Sequence, residues 1–177
     1  MKNISLYIPS IEDYFYQEKI QKDKETMSYN RGYDVNYYGY DYNTGCIDFP
    51  RDRWAKEYKR RIDENRYFAY IKDNDTNNYV GYVNYQYNKE NNRYECGILI
   101  ENKYRKKGYA KKALELLCDE AKNRGIKELY DNFEVDRGVL NLFLEVGFII
   151  VEKTKWKKFN KDVEGYVVKK ELYHKED

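Results

Sequence analysis

A short apolar run that leads through a glycine into an amphipathic helix is the feature that most constrains this chain's fold. Ile98 to Ile100 are typical of a buried strand, and Gly108 marks the start of the helix. Gly125 stands where a left-handed residue commonly ends a helix. The apolar residues of the helix repeat on one face, namely Ala110, Ala113, Leu114, Leu117, Cys118 and Ala121. The stretch therefore predicts a strand–glycine–helix unit.

The N-terminal end of this helix carries charge of the unfavourable sign. Six cations and no acid lie between residues 103 and 112: Lys103, Arg105, Lys106, Lys107, Lys111 and Lys112. A helix N-terminus already carries about half a positive charge, so each cation there costs roughly 0.3–1 kcal/mol. A bound anion would reverse the sign of this energy, and Gly108 would let it approach the free backbone N–H groups. We interpret the stretch as a pyrophosphate-binding cradle, with a solvated basic face and a nucleic-acid patch as alternatives.

Two motifs make the chain resemble a known family. Arg105-x-x-Gly108-x-Ala110 resembles the acyl-CoA-binding motif R/Q-x-x-G-x-G/A of the GNAT N-acetyltransferases. Residues 143–148, Phe-Leu-Glu-Val-Gly-Phe, resemble the motif L-Y-x-x-x-G-F that closes the same domain. Neither the P-loop sequence nor G-x-G-x-x-G occurs in the chain. The resemblance covers residues 67–172 well and the first third loosely, and it implies an acetyl-CoA-dependent N-acetyltransferase.

Periodicity along the chain predicts the order β-α-α-βββ-α-β-α-ββ. Helices are expected from Ser10 until the chain frays near residues 23–26, from Pro50 with Trp54, Tyr58, Arg61 and Ile62 inside, and over 108–124 and 138–146. Strands are expected over 4–8, 67–71, 79–87, 94–100, 129–135, 148–155 and 163–172. This order predicts an α/β (α+β) fold, with a mixed, mainly antiparallel central sheet and helices on both faces, in one domain over residues 1–177.

Residues 29–48 follow no regular period and contain six tyrosines. A structureless loop of this length inside a compact domain is usually functional or disordered, and so many aromatic side chains argue against disorder. By the resemblance, this loop would form the acceptor pocket.

Composition excludes several classes of protein. The net charge is only +2 although 36% of the residues are charged, so basic character is local. No apolar run approaches ~18 residues, and the first residues lack the apolar core of an export signal. Cys46, Cys96 and Cys118 are odd in number and widely spaced, which favours reduced thiols in the cytoplasm over a disulfide framework or zinc. His174 is the only histidine, so a histidine-based triad or metal site is not expected.

The resemblance also implies which residues bind acetyl-CoA. Backbone groups of Ile98, Leu99 and Ile100 would pair with the pantetheine amides. The diphosphate would lie against the motif residues that follow, Arg105, Lys106, Lys107, Gly108, Tyr109, Ala110 and Lys111. Gly97 inside the strand suggests a bulge or a close backbone approach, and a bulge would free a donor for the thioester oxygen.

Two carboxylates are candidates for the base that deprotonates an incoming amine. Glu95 lies on the strand that approaches the cradle, on the opposite face from Cys96, Ile98 and Ile100. Asp131 lies on the next strand and is the second candidate. An ordinary solvent-facing or ion-paired residue is the alternative for each.

The chain departs from the family pattern where a general acid is expected. Many members carry a tyrosine whose hydroxyl is assigned to protonate the leaving thiolate, whereas this chain has Phe143. Asp136 stands where the closing helix often begins with asparagine. A thiol with a pKa of about 8.5 can also leave with the help of water, and Tyr109 or a tyrosine of the 29–48 loop could substitute.

The sequence therefore predicts an N-acetyltransferase with a small-molecule or peptide amine as acceptor, acetyl-CoA as cosubstrate and no metal. A CoA-sensing module that has lost catalysis is the alternative, supported by Phe143. An RNA-associated protein that uses the basic run with Tyr104 and Tyr109 is a third. On the leading prediction neither nucleic acid nor a membrane is a partner, and a homodimer is an open alternative to a monomer.

Overall fold

A computed structural model describes residues 2–173, and His174 lies outside them. Within these residues the strands are β1 Ile4–Tyr7, β2 Tyr67–Asp73, β3 Asn78–Asn88, β4 Arg93–Ile100, β5 Glu128–Glu134, β6 Ile149–Lys158 and β7 Lys161–Glu171. They form one sheet in the order β1-β2-β3-β4-β5-β7-β6. All neighbours in this sheet are antiparallel except β4 and β5. The predicted mixed, mainly antiparallel sheet is confirmed.

Helices cover both faces of the sheet. The helices are α1 Phe15–Gln21, α2 Lys24–Met27, α3 Trp54–Asp63, α4 Tyr109–Asn123 and α5 Leu140–Glu145. The apolar face of α4 and Phe143 of α5 share a core with Val83 of β3, Cys96 of β4 and Leu129 of β5. On the opposite face, α1 and α2 pack on aromatic residues of β2 and β3. Because successive strand residues alternate between faces, β2, β3 and β4 each contribute to both cores.

The first helices differ from the prediction in three ways. The chain forms α2 where fraying was expected, because Asp23 accepts a hydrogen bond from the backbone N–H of Glu25 and caps a short turn. Ser10 makes no cap, because its hydroxyl donates to the carboxylate of Asp13 instead. In α3, only Trp54 is fully buried, and two predicted inner residues, Tyr58 and Ile62, are exposed.

Helix α4 begins and ends at left-handed glycines. Gly108 is the N-cap with φ +90°, and Gly125 follows the C-terminus with φ +86°. The N–H of Ile126 donates to the carbonyl of Ala121 at 3.0 Å, and the N–H of Gly125 donates to that of Lys122 at 3.0 Å. This is the Schellman pattern of C-terminal bonds, so both ends of the predicted helix are confirmed.

Strands β4 and β5 run parallel but pair at one position, Glu95 with Tyr130. Beyond that pair the two strands diverge, and the described part of the chain places no strand between them. The N–H and C=O groups along the facing edges are therefore available to a ligand. Among residues 2–173, no helix is long and apolar enough to span a bilayer.

Candidate active site

A cleft of about 720 Å³ lies where β4 and β5 separate, and we call it the main cleft. Residues 97–100 of β4 and 131–132 of β5 form two of its walls, and the segment leading into α4 forms a third. Nine of the ten predicted acetyl-CoA-binding residues line it: Ile98, Leu99, Ile100, Arg105, Lys106, Gly108, Tyr109, Ala110 and Lys111. Lys107 is exposed and does not line the cleft.

The start of α4 presents unpaired backbone donors to the main cleft. No described side chain caps the helix, and its first turn contains no acidic residue. Lys106 and Gly108 are both left-handed, with φ of +60° and +90°, so the backbone curls around this point. A Cβ built on Gly108 would meet only the Lys2 side chain, at 3.9 Å. Glycine is therefore needed here for its backbone conformation, and the space beside it is open to a ligand.

The lysines beside this helix end have no acidic partners in the part of the chain that the structure describes. None of Lys106, Lys107 and Lys111 forms an ion pair with another residue of the described range 2–173. Their charge adds to the partial positive charge of the helix N-terminus. The arrangement binds an anion readily, because both the orphan N–H groups and the side chains favour negative charge.

The guanidinium of Arg105 bonds to protein groups. Its Nε donates to the carbonyl of Ile100 at 3.0 Å, and its Nη2 donates to the carbonyl of Thr26 at 2.8 Å. Its Nη1 lies 3.5 Å from Oδ1 of Asn102. Burial lowers the pKa of Arg105, and the nearby charge of Arg137 lowers it further. Arg105 thus ties the loop before α4 to the end of β4 and to α2.

Tyr109 lines the cleft, but its hydroxyl is engaged elsewhere. The hydroxyl donates to Oδ2 of buried Asp73 at 2.6 Å, and this hydrogen bond raises the pKa of Tyr109 to about 12. Asp73 also accepts from the N–H groups of Asp75 and Thr76 in the β2–β3 turn. The bond anchors the first turn of α4 to the sheet, so Tyr109 is not available as the substitute acid.

Gly97 permits a close side-chain approach, and the predicted bulge is absent. The β3–β4 register runs without a shift from Gly81–Ile100 to Asn88–Arg93. A Cβ on Gly97 would lie 3.2 Å from Oδ1 of Asn84, which is its partner across the ladder. The amide of Asn84 lines the main cleft above this glycine, so a side chain takes the place of the expected free backbone donor.

Asp131 of β5 lines the main cleft. Its Oδ1 accepts from the N–H of Asn132 at 2.8 Å. Burial raises the pKa of Asp131 to about 7 and the charge of Glu95 adds to the rise, while the Asn132 N–H and Arg137 oppose it. A carboxyl group that is about half ionised at neutral pH can take a proton from a substrate.

Glu95 is held away from the main cleft. One carboxylate oxygen accepts from Asn88 at 2.7 Å, and the other accepts from Nε of Arg93 at 2.9 Å and from Asn91 at 3.3 Å. Glu95 also belongs to the pair that closes the gap between β4 and β5, and it does not line the cleft. Its oxygens are occupied by protein donors, which is the ion-paired alternative considered for this residue.

A second cavity of about 480 Å³ adjoins the main cleft, and we call it the side pocket. The two cavities share three lining residues, Tyr29, Asn132 and Arg137. Residues 33–35 of the tyrosine-rich loop, residues 133–134 of β5 and residues 156–157 of β6 complete the walls of the side pocket. Residues 29 and 33–35 of the 29–48 loop therefore reach the site, and residues 36–48 do not line either cavity.

The carboxylate of Glu134 in the side pocket is neutralised by its neighbours. Nζ of Lys158 lies 3.0 Å from Oε1, and the hydroxyl of Tyr33 donates to the same oxygen. The exposed Asp34 is the other acid of the pocket, and the cations Arg137 and Lys157 also line it. The pocket thus combines aromatic walls with balanced charge.

Phe143 is confirmed as a cleft residue without a proton to give. It is 1% exposed, it packs against Phe133 and Phe148, and it lines the main cleft. Asp136 is exposed and lines neither cavity. Asn84 and Arg137 were not predicted, because no motif marks an isolated asparagine in a strand or an arginine in a short 3-10 turn.

Comparison with known proteins agrees with this geometry. Residues 31–148 match the model of the Acetyltransferase (GNAT) family. A search of curated proteins found no match.

Three solved structures share the fold over nearly their whole length. An N-acetyltransferase from Staphylococcus aureus Mu50 has a TM-score of 0.73 at 16% identity, with 97% of this chain and 99% of the other covered. Spermidine N-acetyltransferase from Vibrio cholerae, in complex with CoA and spermine, has a TM-score of 0.75 at 16% identity, with 96% and 95% covered. The protein yncA from Salmonella typhimurium, solved with its cofactor acetyl-CoA, has a TM-score of 0.73 at 15% identity, with 97% and 95% covered.

Proposed function

Because this chain belongs to the acetyltransferase (GNAT) family, we propose that it transfers an acetyl group to a primary amine of a small molecule or of a peptide N-terminus. The chain is an acetyl-CoA-dependent acyltransferase; the nature of the acceptor is the part proposed. One observation carries the proposal: a single cleft joins the unpaired start of α4 to the carboxyl group of Asp131.

The residues of the main cleft fit acetyl-CoA. The N–H groups at the start of α4 and the side chains of Lys106 and Lys111 would hold the diphosphate, with charge-assisted hydrogen bonds. The free edge of β4 over residues 98–100 would pair with the pantetheine amides as an added strand does. Bound acetyl-CoA supplies an activated thioester. Among residues 2–173, no cluster of three or more His, Cys, Asp or Glu could hold a metal.

Asp131 would accept the proton that the amine loses, and its pKa sets a preference among amines. A lysine-like amine has a pKa of about 10.4 and an α-amino group about 8. With Asp131 near 7, deprotonation of an α-amino group is uphill by about one pKa unit, or roughly 1.4 kcal/mol, against more than three units for an alkylamine. This difference favours an acceptor amine of low pKa, such as a peptide N-terminus.

The side pocket would hold the body of the acceptor. Its aromatic residues Tyr33 and Trp156 suit a flat or apolar group beside the amine. Glu134 is already neutralised by Lys158, and Asp34 shares the pocket with two cations, so the site carries little net negative charge. A polyamine such as the substrate of the Vibrio cholerae relative is therefore less favoured than an amine with one charge.

Steady-state release of free CoA thiol, measured with a panel of amines, tests the proposal. The panel contains short peptides with free α-amino groups, tyramine and spermidine, each at several pH values. We expect the highest kcat/KM for the α-amino acceptors, and mass spectrometry should place the acetyl group on their nitrogen. Absence of thiol release above the hydrolysis rate with every amine would contradict the proposal.

Phe143 keeps a second candidate open, a CoA-sensing module. It predicts tight CoA binding by calorimetry together with no turnover on the same panel. The basic run lies along the wall of a cleft, which favours a bound nucleotide over the RNA alternative. The cytoplasmic location and the homodimer stay predictions, and sedimentation velocity tests the latter.

A further inference from the structure

The departing sulfur needs a proton, and Phe143 cannot supply it. Chemistry takes place where the thioester and the amine meet, so the proton donor has to reach the junction of the main cleft and the side pocket. Tyr29, Asn132 and Arg137 are the described residues that line both cavities. A carboxamide does not ionise usefully and a guanidinium keeps its proton at any ordinary pH, so only Tyr29 has an exchangeable acidic proton.

The other hydroxyl groups of the main cleft are engaged or misplaced. They belong to Ser28, Tyr82, Tyr104 and Tyr109. Ser28 donates to the carbonyl of Glu25 at 3.1 Å, and Tyr109 donates to Asp73 at 2.6 Å. Tyr82 is buried among α1 and β2 residues, and Tyr104 lies in the 3-10 turn before α4, beside the phosphate-binding end. None of these four lines the side pocket.

The surroundings of Tyr29 hold the residue in place and leave its hydroxyl without a hydrogen-bond partner among the described residues. The guanidinium of Arg137 stacks on the ring at 4.2 Å from the centroid. Nζ of Lys158 donates to the backbone carbonyl of Tyr29 at 3.3 Å. Within the described range 2–173, the hydroxyl makes no hydrogen bond to another residue. One contact thus holds the ring and the other holds the backbone, and a residue fixed in this way with a free hydroxyl is suited to act as a proton donor.

We propose that Tyr29 is the general acid that protonates the sulfur of CoA as the thioester is cleaved, a role that rests on the proposed function. Asp131 first takes the ammonium proton of the amine and passes it to water. The neutral amine nitrogen then forms a bond to the carbonyl carbon, and its surplus proton passes to Asp131. The C–S bond breaks, its electron pair stays on sulfur, and sulfur takes the phenolic proton of Tyr29. The products are the amide and the free thiol of CoA. Asp131 then releases its proton to water, and the phenolate of Tyr29 regains one from water, which restores both residues.

The ionisation of Tyr29 is compatible with this role. Burial raises the pKa of Tyr29 above its ordinary value of 10, with Tyr82 and Asp131 in the same direction, so the hydroxyl is protonated throughout the assay range. Transfer of the phenolic proton to the leaving thiolate, whose conjugate thiol has a pKa of about 8.5, is energetically uphill on its own. The charges of Arg137 and Arg105 lower the pKa of Tyr29 and so stabilise the transient phenolate.

The variant Tyr29→Phe removes the proton and keeps the ring. We expect kcat with acetyl-CoA to fall about 100-fold, while the Kd for CoA measured by calorimetry stays within two-fold of the wild type. Tyr38→Phe is the matched control, because Tyr38 belongs to the same loop, is 53% exposed and lines neither cavity. It should keep the wild-type kcat.

A second donor separates acid catalysis from a structural role. The acetyl thioester of an aromatic thiol, whose pKa lies well below that of CoA, needs no proton on its leaving group. The wild type and Tyr29→Phe should use it with rates within three-fold of each other. An equal loss with both donors, or a wild-type kcat of Tyr29→Phe with acetyl-CoA, would overturn the role of Tyr29 while the transferase function stands. If the wild type itself releases no CoA with any amine, the proposed function fails, and the role of Tyr29 fails with it.

Discussion

Asp131 combines a position in the main cleft with a pKa of about 7, and the two together make a specific kinetic prediction. Asp131→Asn should lower kcat about 100-fold or more, because a carboxamide cannot accept the proton of the amine. In the wild type, kcat/KM should rise with pH through an acid limb near pH 7, and this limb should be absent from the variant. A pH–rate profile with a peptide acceptor measures both effects.

Two controls separate this role from the other acids nearby. Asp136→Asn should behave as the wild type, because Asp136 is exposed and lines neither cavity. Glu95→Gln should retain most of the turnover and shift the acid limb to lower pH, because the Glu95 charge contributes to the raised pKa of Asp131. If Glu95→Gln were inactive and Asp131→Asn active, the two carboxylates would have to exchange roles.

The carboxyl group of Asp131 lowers the stability of the folded protein at high pH. Its pKa is about 7 in the folded chain, against an ordinary value of 3.8, so the folded state binds more protons from about pH 4 to about pH 7. The free energy of unfolding therefore falls as pH rises through this range, by at most about 4 kcal/mol from this group. Asp131→Asn should be more stable than the wild type at pH 8 and of equal stability at pH 4 to within 1 kcal/mol. Urea unfolding at the two pH values measures the difference, and a variant less stable at pH 8 would contradict the buried location.

Gly108 and Gly125 form a matched pair for testing the cradle. Both are left-handed, at φ +90° and +86°, and a Cβ on either has open space around it. Gly108→Glu adds a side chain and a negative charge beside the diphosphate, so the affinity for CoA should fall at least about 100-fold, or about 2.7 kcal/mol. Gly125→Glu carries the same backbone strain at the far end of α4 and should bind CoA as the wild type does. Calorimetry measures the CoA affinity of both variants. If Gly108→Glu bound CoA as tightly as the wild type, the nucleotide would have to bind elsewhere.

Among the elements, α4 could be predicted in full and α2 could not, for a physical reason. Fifteen residues of α4 repeat an apolar face and end in a Schellman motif, so local sequence carries the whole signal. Helix α2 has four residues, fewer than one repeat needs, and its stability comes from the cap at Asp23 and from packing. The strands were predicted within a few residues, because alternation and turn residues are also local.

Arg105 shows how an element depends on one side chain. Its guanidinium joins the end of β4, through the carbonyl of Ile100, to α2, through the carbonyl of Thr26. Arg105→Lys keeps the charge and loses the geometry of the fork, so we expect a loss of about 1–3 kcal/mol in stability. The affinity for CoA should fall as well, because the loop before α4 loses its brace. A chemical-denaturation midpoint with a CoA titration measures both, and a variant with wild-type affinity would show that charge alone suffices.

Across the whole molecule, the strands and their faces could be predicted from the sequence. The geometry of the active site could not, because it depends on how β4 and β5 separate. Alternation placed Glu95 on a face of β4 but said nothing about Asn88 at the end of β3 and Asn91 in the following turn, which both donate to it. Burial raises the pKa of Asp131, and this burial exists only once β4 and β5 lie side by side in the assembled sheet. Tyr29 joins the site from about 100 residues away along the chain, which no local pattern records.

The single pair between β4 and β5 makes the middle of this sheet its least protected seam. In an ordinary sheet, backbone amides exchange with deuterium slowly at the centre and quickly at the edges. Here the peptides that cover residues 97–100 and 131–133 should exchange faster than those of β2 and β3, despite their central position. CoA should slow exchange in residues 97–100 and leave β2 unchanged, as followed by mass spectrometry. Full protection without ligand would mean that the backbone amides along β4 and β5 are already bonded in the free protein. If exchange is fast without CoA and slow with it, the fraction of protein that holds CoA can be read from deuterium uptake alone, before any acceptor is known.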